Sequence, residues 1–203
     1  MKLLIFTDIH RNLKDLEKVK ALAKNEKPDA VICAGDFTVF GSGIKMMLKQ
    51  FDLMQLPFFI IPGNHETEEE LEIYCRGLKN VRNIHLKSVM FNSVLFIGCG
   101  GGGFTEEHAA FEQSEEEFAK AVKKLKVDNK GNKVVLVVHQ PPYGTKLSQL
   151  DYDAGSTSIR NFIDKHKPDV CITGHLHENF GKTDKAGNTK VYNPGPTGKV
   201  IEI

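Results

Sequence analysis

The sequence has almost no net charge, few cysteines and no apolar run long enough to span a membrane. It contains 27 lysines and arginines and 26 acidic residues, which gives a formal net charge of +1. Tight binding to duplex nucleic acid, which depends on neutralising phosphates, is therefore not expected. The first aspartate comes at position 8, too early for the apolar stretch of a secretory signal peptide. From these absences we expect a soluble, cytoplasmic protein without a membrane segment.

The four cysteines contain no C-x-x-C pair. Cys33, Cys99 and Cys171 lie in or beside apolar runs, so we interpret them as small core residues, a usage that suits a reducing compartment. A chain of this length can bury roughly 70% of its unfolded surface and needs no metal to hold its core. Any bound metal is therefore expected to be catalytic. Without repeats or linkers, residues 1–203 are predicted to form a single domain.

Apolar runs alternate with amphipathic helical patterns in the first part of the chain. Runs over residues 2–7, 30–34 and 58–61 are each followed by such a pattern, which predicts parallel strands with helices packed on them. Residues 84–86, 88–91 and 94–98 are then predicted as short strands joined by tight turns. Residues 114–117 resemble a capping box that begins the next helix. The final predicted strands, expected to be antiparallel, are residues 180–183, 190–193 and 199–203.

Side chains that bind metals follow five of the predicted strands, at residues 2–7, 30–34, 58–61, 134–138 and 170–173. They are Asp8, His10, Asp36, Asn64, His139, His175 and His177. Because ligands bind at the carboxyl edge of open α/β sheets, we expect these side chains to share one pocket. Mixed imidazole and oxygen donors suit manganese, iron, zinc, cobalt or nickel better than calcium. Seven donors suit two ions with a bridging carboxylate, an arrangement that serves in-line displacement at phosphorus.

Each motif alone also has an ordinary explanation. Asp8 and His10 could simply begin a helix, Asp36 could lie in a plain turn, and His139 could be a buried core histidine. The pair His175 and His177 is the strongest single signal, because alternate residues in extended chain point to different sides. Recurrence of the pattern after five strands favours the metal interpretation.

Five motifs occur in order between residues 8 and 177: D-x-H, G-D, G-N-H-E, H and G-H-x-H. The series resembles the calcineurin-like metallophosphoesterase superfamily. Residues 139–145, 174–178 and 193–195 are similar to its small prokaryotic branch related to cyclic-nucleotide phosphodiesterases. The resemblance implies an α/β fold, a four-layer αββα sandwich of two mixed β-sheets flanked by helices. It also implies a metal-dependent phosphoric ester hydrolase, with phosphodiesters as the favoured substrates.

The resemblance further implies a role for each motif residue. One divalent ion would be held by Asp8, His10, Asp36 and His177, and the second by Asp36, Asn64, His139 and His175. Asp36 would bridge the two ions, for which manganese is favoured and iron, zinc, nickel or cobalt are alternatives. A hydroxide between the ions would attack the phosphorus. His65 would not bind metal but would protonate the leaving oxygen or stabilise the transition-state charge.

Residues beside these motifs are candidates for substrate binding. Arg11 could reach a phosphate oxygen with its guanidinium fork or could be solvated, and Asn12 could contact substrate or cap a helix. Four aromatic residues that follow strand ends could stack on an aromatic leaving group or anchor their loops: Phe37, Phe40, Phe104 and Tyr143. Residues 100–103, all glycine, are not followed by the G-K-[ST] of a nucleotide site. We interpret them as a loop that needs unusual backbone angles.

Other activities fit the same motifs. The expected substrate is a small phosphorylated molecule, with nucleotides included, but a phosphomonoesterase or a nuclease for short oligonucleotides would use the same residues. A non-catalytic protein-binding scaffold on this fold, like the retromer subunit that resembles the superfamily, is a third alternative. Such scaffolds usually have replaced ligands, whereas every ligand position is filled here. The residues do not specify an oligomeric state.

Overall fold

The computed structural model describes residues 1–128 and 131–203. One sheet has the members β1 (Lys2–Phe6), β2 (Ala30–Cys33), β3 (Phe58–Ile60), β4 (Val81–Asn83) and β11 (Lys199–Glu202). Its spatial order is β11-β1-β2-β3-β4. Strands β1, β2 and β3 are parallel, as the strand–helix alternation predicts. Strand β4 is also parallel to β3, and β11 closes the other edge antiparallel to β1.

The second sheet consists of β5 (Lys87–Phe91), β6 (Val94–Cys99), β7 (Lys133–Val138), β8 (Val170–Ile172), β9 (Thr183–Ala186) and β10 (Thr189–Tyr192). The order of its strands is β5-β6-β7-β8-β10-β9. Its central strands are parallel, while β5 and β9 are antiparallel edges. Asn92 and Ser93 form the two-residue turn between β5 and β6 with φ of 45° and 65°, as the hairpin prediction requires.

The helices cover the outer faces of the two sheets. They are α1 (Leu13–Glu26), α2 (Ile44–Asp52), α3 (Glu68–Cys75), α4 (Ala109–Asp128) and α5 (Thr157–His166). Alternate residues of a strand face opposite sides of its sheet, and β1 shows the consequence. Leu4 and Phe6 belong to the cluster that α1, α2 and α3 cover, whereas Leu3 and Ile5 pack with residues of the second sheet. With α4 and α5 on the second sheet, the predicted αββα sandwich is confirmed.

The start of α4 differs from the prediction. The helix begins at Ala109, so Ser114 lies inside it and does not cap it. Instead the ring of His108 accepts a hydrogen bond from the backbone N–H of Phe111. Phe111 is buried against Phe162, and this packing extends the helix by more than a turn towards its amino end.

Two strand predictions are also wrong. The strand predicted at residues 84–86 lies at Val81–Asn83, where it pairs parallel with β3, and Leu86 has a positive φ as the chain crosses to the other sheet. The strand predicted at residues 180–183 lies at Thr183–Ala186, and it follows a 3-10 helix at His177–Asn179 and a turn at Gly181. The final strands are only partly antiparallel, since β10 runs parallel to β8.

Cys33, Cys99 and Cys171 are buried free thiols, as predicted. Across residues 1–128 and 131–203, no helix has the length and apolar character needed to cross a membrane.

Candidate metal centre

The turns after β1, β2, β3, β7 and β8 meet at one edge of the sandwich, where backbone hydrogen bonds hold them together. The N–H of Asp8 donates to the carbonyl of Gly35, and that of His10 to the carbonyl of Asp36, both at 3.0 Å. The N–H of Gly174 donates to the carbonyl of His139 across the second sheet. The structure therefore brings the motif residues of both sheets to one place, as the sequence predicts.

The first group of donors is formed by Asp8, His10 and His177. Nε2 of His10 lies 3.2 Å from Nε2 of His177, and Oδ1 of Asp8 lies 3.5 Å from Nε2 of His177. Asp36 closes the group with Oδ2 at 3.9 Å from Nε2 of His10. Metal–ligand distances of about 2.0–2.2 Å place neighbouring donors of one ion about 3–3.5 Å apart. The distances of His177 from His10 and from Asp8 therefore fit one coordination shell, and Asp36 lies slightly farther out.

The second group consists of Asp36, Asn64, His139 and His175. Oδ1 of Asn64 lies 3.1 Å from Nε2 of His139 and 2.9 Å from Nδ1 of His175. Oδ2 of Asp36 lies 3.4 Å from Nε2 of His139. Because Asp36 also lies beside His10, its carboxylate stands between the two groups. The donor set thus fits two ions that share one carboxylate.

Hydrogen bonds on the far side of two imidazoles favour metal binding. Nδ1 of His10 lies 3.0 Å from the carbonyl oxygen of Thr38, and Nδ1 of His139 lies 2.8 Å from that of Ala34. A carbonyl oxygen can only accept, so each Nδ1 carries a hydrogen. In the neutral ring, this leaves the lone pair on Nε2, which faces the other donors. Such outer partners orient the histidine ligands of metals.

His65 has the opposite arrangement. Its Nδ1 accepts a hydrogen bond from the backbone N–H of Phe40 at 3.2 Å, so the hydrogen of the neutral ring is on Nε2. Nε2 lies 3.9 Å from Oδ2 of Asp36. Distance alone would place His65 in a metal-binding group with His10 and Asp36. The tautomer makes it a hydrogen donor instead, in keeping with the role implied by the sequence resemblance.

The charged groups of the site perturb one another strongly. Burial opposes ionisation of Asp36, but the hydrogen bond and charge of His139 outweigh it and lower the pKa of Asp36 to about 2. Burial likewise disfavours charged His139, yet its bond to Asp36 raises the pKa of His139 to about 9. For His175, burial and the charge of His139 lower the pKa to about 4. Two ionised aspartates in a buried site create the field that favours a cation.

Glu66 is a structural member of the site that the sequence reasoning missed. The carboxylate is buried and accepts hydrogen bonds from the N–H groups of Asp36, Gly63 and Thr38 at 2.8–3.0 Å. It also accepts from the hydroxyl of Thr38 at 2.6 Å. Burial, opposed by these bonds, raises the pKa of Glu66. The sequence signal that could have identified Glu66 is its position directly after His65 in the G-N-H-E motif.

The backbone of the site is strained and crowded. Asp8, His10, Asp36 and His175 have φ between 43° and 69°, in the left-handed region that residues with a side chain rarely adopt. A Cβ on Gly63 would overlap Oδ1 of Asp36, so only glycine allows this approach. Strain of this kind clusters at functional sites, where the surrounding structure maintains it.

The candidate substrate-binding residues beside the motifs differ in their contacts and burial. Nη1 of Arg11 donates to the hydroxyl of Ser42 at 2.6 Å, and Asn12 caps α1 through the N–H groups of Lys14 and Asp15. Phe37 is fully buried, so it is a loop anchor. In the glycine loop, residues 101 and 102 have φ of 76° and 91°, the unusual angles that the sequence predicts.

The chain is similar to known proteins in sequence and in fold. A family model for calcineurin-like phosphoesterases matches residues 1–179. The uncharacterized protein MJ1162 of Methanocaldococcus jannaschii is 33% identical over 205 residues, covering 97% of this chain and 88% of that protein. A probable glycerophosphodiester phosphodiesterase GpdQ of Arcobacter nitrofigilis is 27% identical over 169 residues. This match covers 74% of this chain and 57% of that protein, little more than half its length.

Among solved structures, that of TT1561 from Thermus thermophilus is similar with a TM-score of 0.77. The match has 20% sequence identity and covers 97% of this chain and 90% of the other. At this identity, the similarity concerns the fold.

Proposed function

Because this chain belongs to the calcineurin-like phosphoesterase family, we propose that it hydrolyses phosphate esters, and phosphodiesters in preference, at a centre of two divalent metal ions. The observation that carries the proposal is the spacing of the seven donors from both sheets. Neighbouring donor atoms lie 2.9 to 3.9 Å apart in two groups that meet at Asp36.

The assignment of donors follows the two groups. Asp8, His10, Asp36 and His177 hold one ion, and Asp36, Asn64, His139 and His175 hold the other. Two such ions supply Lewis acidity to the phosphate and lower the pKa of a water molecule that serves as nucleophile. Thr38 and Ala34 fix the imidazoles through their carbonyls, so the donors are oriented before substrate binds.

His65 donates a hydrogen bond that stabilises negative charge on the leaving oxygen. Its Nε2–H points towards the site, because the N–H of Phe40 occupies Nδ1. A hydrogen bond from this group stabilises the alkoxide that develops as the ester bond breaks, and one positioned donor of this kind typically contributes about 10²–10³-fold to the rate. The same hydrogen can stabilise negative charge on phosphate oxygens.

The preference for diesters rests on similarity. The relative from Arcobacter nitrofigilis carries a phosphodiesterase name, and the motif sequence resembles a branch related to phosphodiesterases. Manganese is the proposed metal, one of the ions that mixed nitrogen and oxygen donors accommodate.

Hydrolysis assays test the proposal. Metal-stripped protein is given bis(para-nitrophenyl) phosphate or para-nitrophenyl phosphate, with and without added Mn²⁺. We expect Mn²⁺ to restore cleavage, with the diester cleaved faster. Asp36→Ala and His139→Ala should abolish turnover while the circular dichroism spectrum stays that of the parent. The control Asp151→Ala changes an exposed aspartate and should retain full activity.

Other outcomes would select the alternatives. Faster cleavage of the monoester would identify a phosphomonoesterase. Full activity in Asp36→Ala or His139→Ala would refute the two-metal assignment. Absence of both turnover and metal binding would favour a scaffold function.

A further inference from the structure

Phe40 is an exposed aromatic residue in a strained conformation beside the metal centre. The residue is 80% exposed. Its φ is 47°, a value that glycine or asparagine adopts easily and a bulky residue rarely does. Neither burial nor backbone preference therefore explains a phenylalanine at this position. Strained residues of this kind point to a binding role.

The ring of Phe40 is stacked on His65. The two ring centroids are 4.3 Å apart, with an angle of 30° between the planes. The N–H of Phe40 bonds to the His65 ring, and the N–H of Gly41 donates to the His65 carbonyl at 2.7 Å. The loop thus holds the inner face of Phe40 against the proposed hydrogen-bond donor. Its outer face is left to solvent.

A second exposed phenylalanine lies at the other group of donors. Phe104 is 62% exposed, and its ring centroid is 4.7 Å from that of His175. His65 and His175 differ in their proposed roles, however. Because the leaving oxygen must come within hydrogen-bond reach of His65, the leaving group passes Phe40 and not Phe104.

We propose that Phe40 determines leaving-group specificity by stacking on a flat aromatic ring carried by the alcohol that is released. This inference rests on the proposed function. In the reaction, a water oxygen bonds to phosphorus while the P–O bond to the leaving group breaks. The Nε2–H of His65 donates a hydrogen bond to the leaving oxygen as negative charge develops on it. One proton of the water ends on the leaving oxygen, and the other stays on the product phosphate or passes to solvent.

The test uses two substrates that differ only in the aromatic ring. One is the methyl phosphate diester of the primary hydroxyl of thymidine, and the other has hydrogen in place of the base. Both release a primary alcohol from the same sugar, so their intrinsic reactivities match. The measured quantity is the ratio of kcat/KM for release of the two sugar alcohols. We expect the ratio to favour thymidine by about 5- to 150-fold, the range of one base–aromatic stack.

Variants at position 40 test whether the Phe40 ring causes the difference in kcat/KM between the two substrates. Phe40→Asn keeps the backbone N–H and suits positive φ, so it should fold with an unchanged or higher unfolding temperature while the ratio falls to about one. Phe40→Tyr keeps the aromatic face and should keep the ratio. The control Val39→Ala removes a neighbouring exposed apolar side chain and should change neither ratio nor activity.

The outcomes separate this inference from the function on which it rests. Equal cleavage of both substrates by the parent protein, or a ratio that persists in Phe40→Asn, would overturn the role of Phe40 and leave the phosphodiesterase intact. A ratio lost in Phe104→Asn but kept in Phe40→Asn would move the aromatic platform to Phe104 and overturn the assignment. No cleavage of any diester would overturn the proposed function, and this inference with it.

Discussion

The substitution Glu66→Gln should destabilise the protein although it removes only a charge and keeps the shape of the side chain. The native carboxylate accepts three N–H groups and one hydroxyl. An N–H can only donate, so the ionised form is the one that satisfies all of these partners. In glutamine, one oxygen is replaced by an NH2 group, which cannot accept.

The magnitude depends on which oxygen is replaced. With the amide oxygen towards Asp36 and Gly63, the NH2 group faces Thr38, whose hydroxyl can turn to accept but whose N–H loses its partner. One buried N–H without a partner costs about 1–3 kcal/mol. The reverse orientation leaves two such groups and is therefore disfavoured. Loss of the repulsion between Glu66 and Asp36 offsets part of the cost, so we expect a loss of about 1–2 kcal/mol of unfolding free energy.

Urea unfolding of the metal-free protein measures this loss without interference from metal binding. The control Glu69→Gln changes an exposed acid in the first turn of α3 and should stay within about 0.5 kcal/mol of the parent. Glu66→Ala leaves all four partners unsatisfied and should lose more than Glu66→Gln. If Glu66→Gln unfolds at the same urea concentration as Glu69→Gln, the hydrogen bonds of the Glu66 carboxylate do not stabilise the loops after β2 and β3. That result would refute the reasoning.

Two further predictions concern His65 and the glycines. His65→Asn should lower kcat by about 10²–10³-fold, because the hydrogen bond from Nε2 to the leaving oxygen is lost, while the metal content stays that of the parent. His139→Asn should lose metal in the same elemental analysis, and loss of metal from His65→Asn would show that His65 is a ligand. Gly63→Ala should lower both the unfolding temperature and the metal content, since its Cβ would overlap Asp36. Gly103→Ala, whose Cβ would meet nothing within 4 Å, is the control, and equal behaviour of the two variants would contradict the crowding argument.

The positions of the donors are predictable because the relevant signals are local. A buried strand shows as an apolar run, and the carboxyl ends of parallel strands meet at one edge. Asp8, Asp36 and His139 each come directly after such a run, and the structure brings them within one group. The pattern marks strand ends in both sheets, because it depends only on the local sequence.

Element boundaries were harder to predict, because packing decides them. Residues 114–117 have the local pattern of a capping box, but burial of Phe111 against Phe162 outweighs it. Ile84 and Leu86 are apolar, yet the strand forms at Val81–Asn83, where β3 offers a partner. A partner distant in sequence leaves no mark on the local pattern.

The distinction between metal donor and hydrogen-bond donor also depends on partners that the sequence does not show. His10 and His65 both follow strands, and both rings lie within reach of Asp36. They differ in what occupies Nδ1: the Thr38 carbonyl for His10 and the Phe40 N–H for His65. Both partners belong to one loop, residues 38–40, which therefore sets opposite tautomers in two neighbouring imidazoles. A change in the backbone of this loop should alter metal binding and hydrogen-bond donation together, whereas a change confined to the Phe40 ring should alter leaving-group selection.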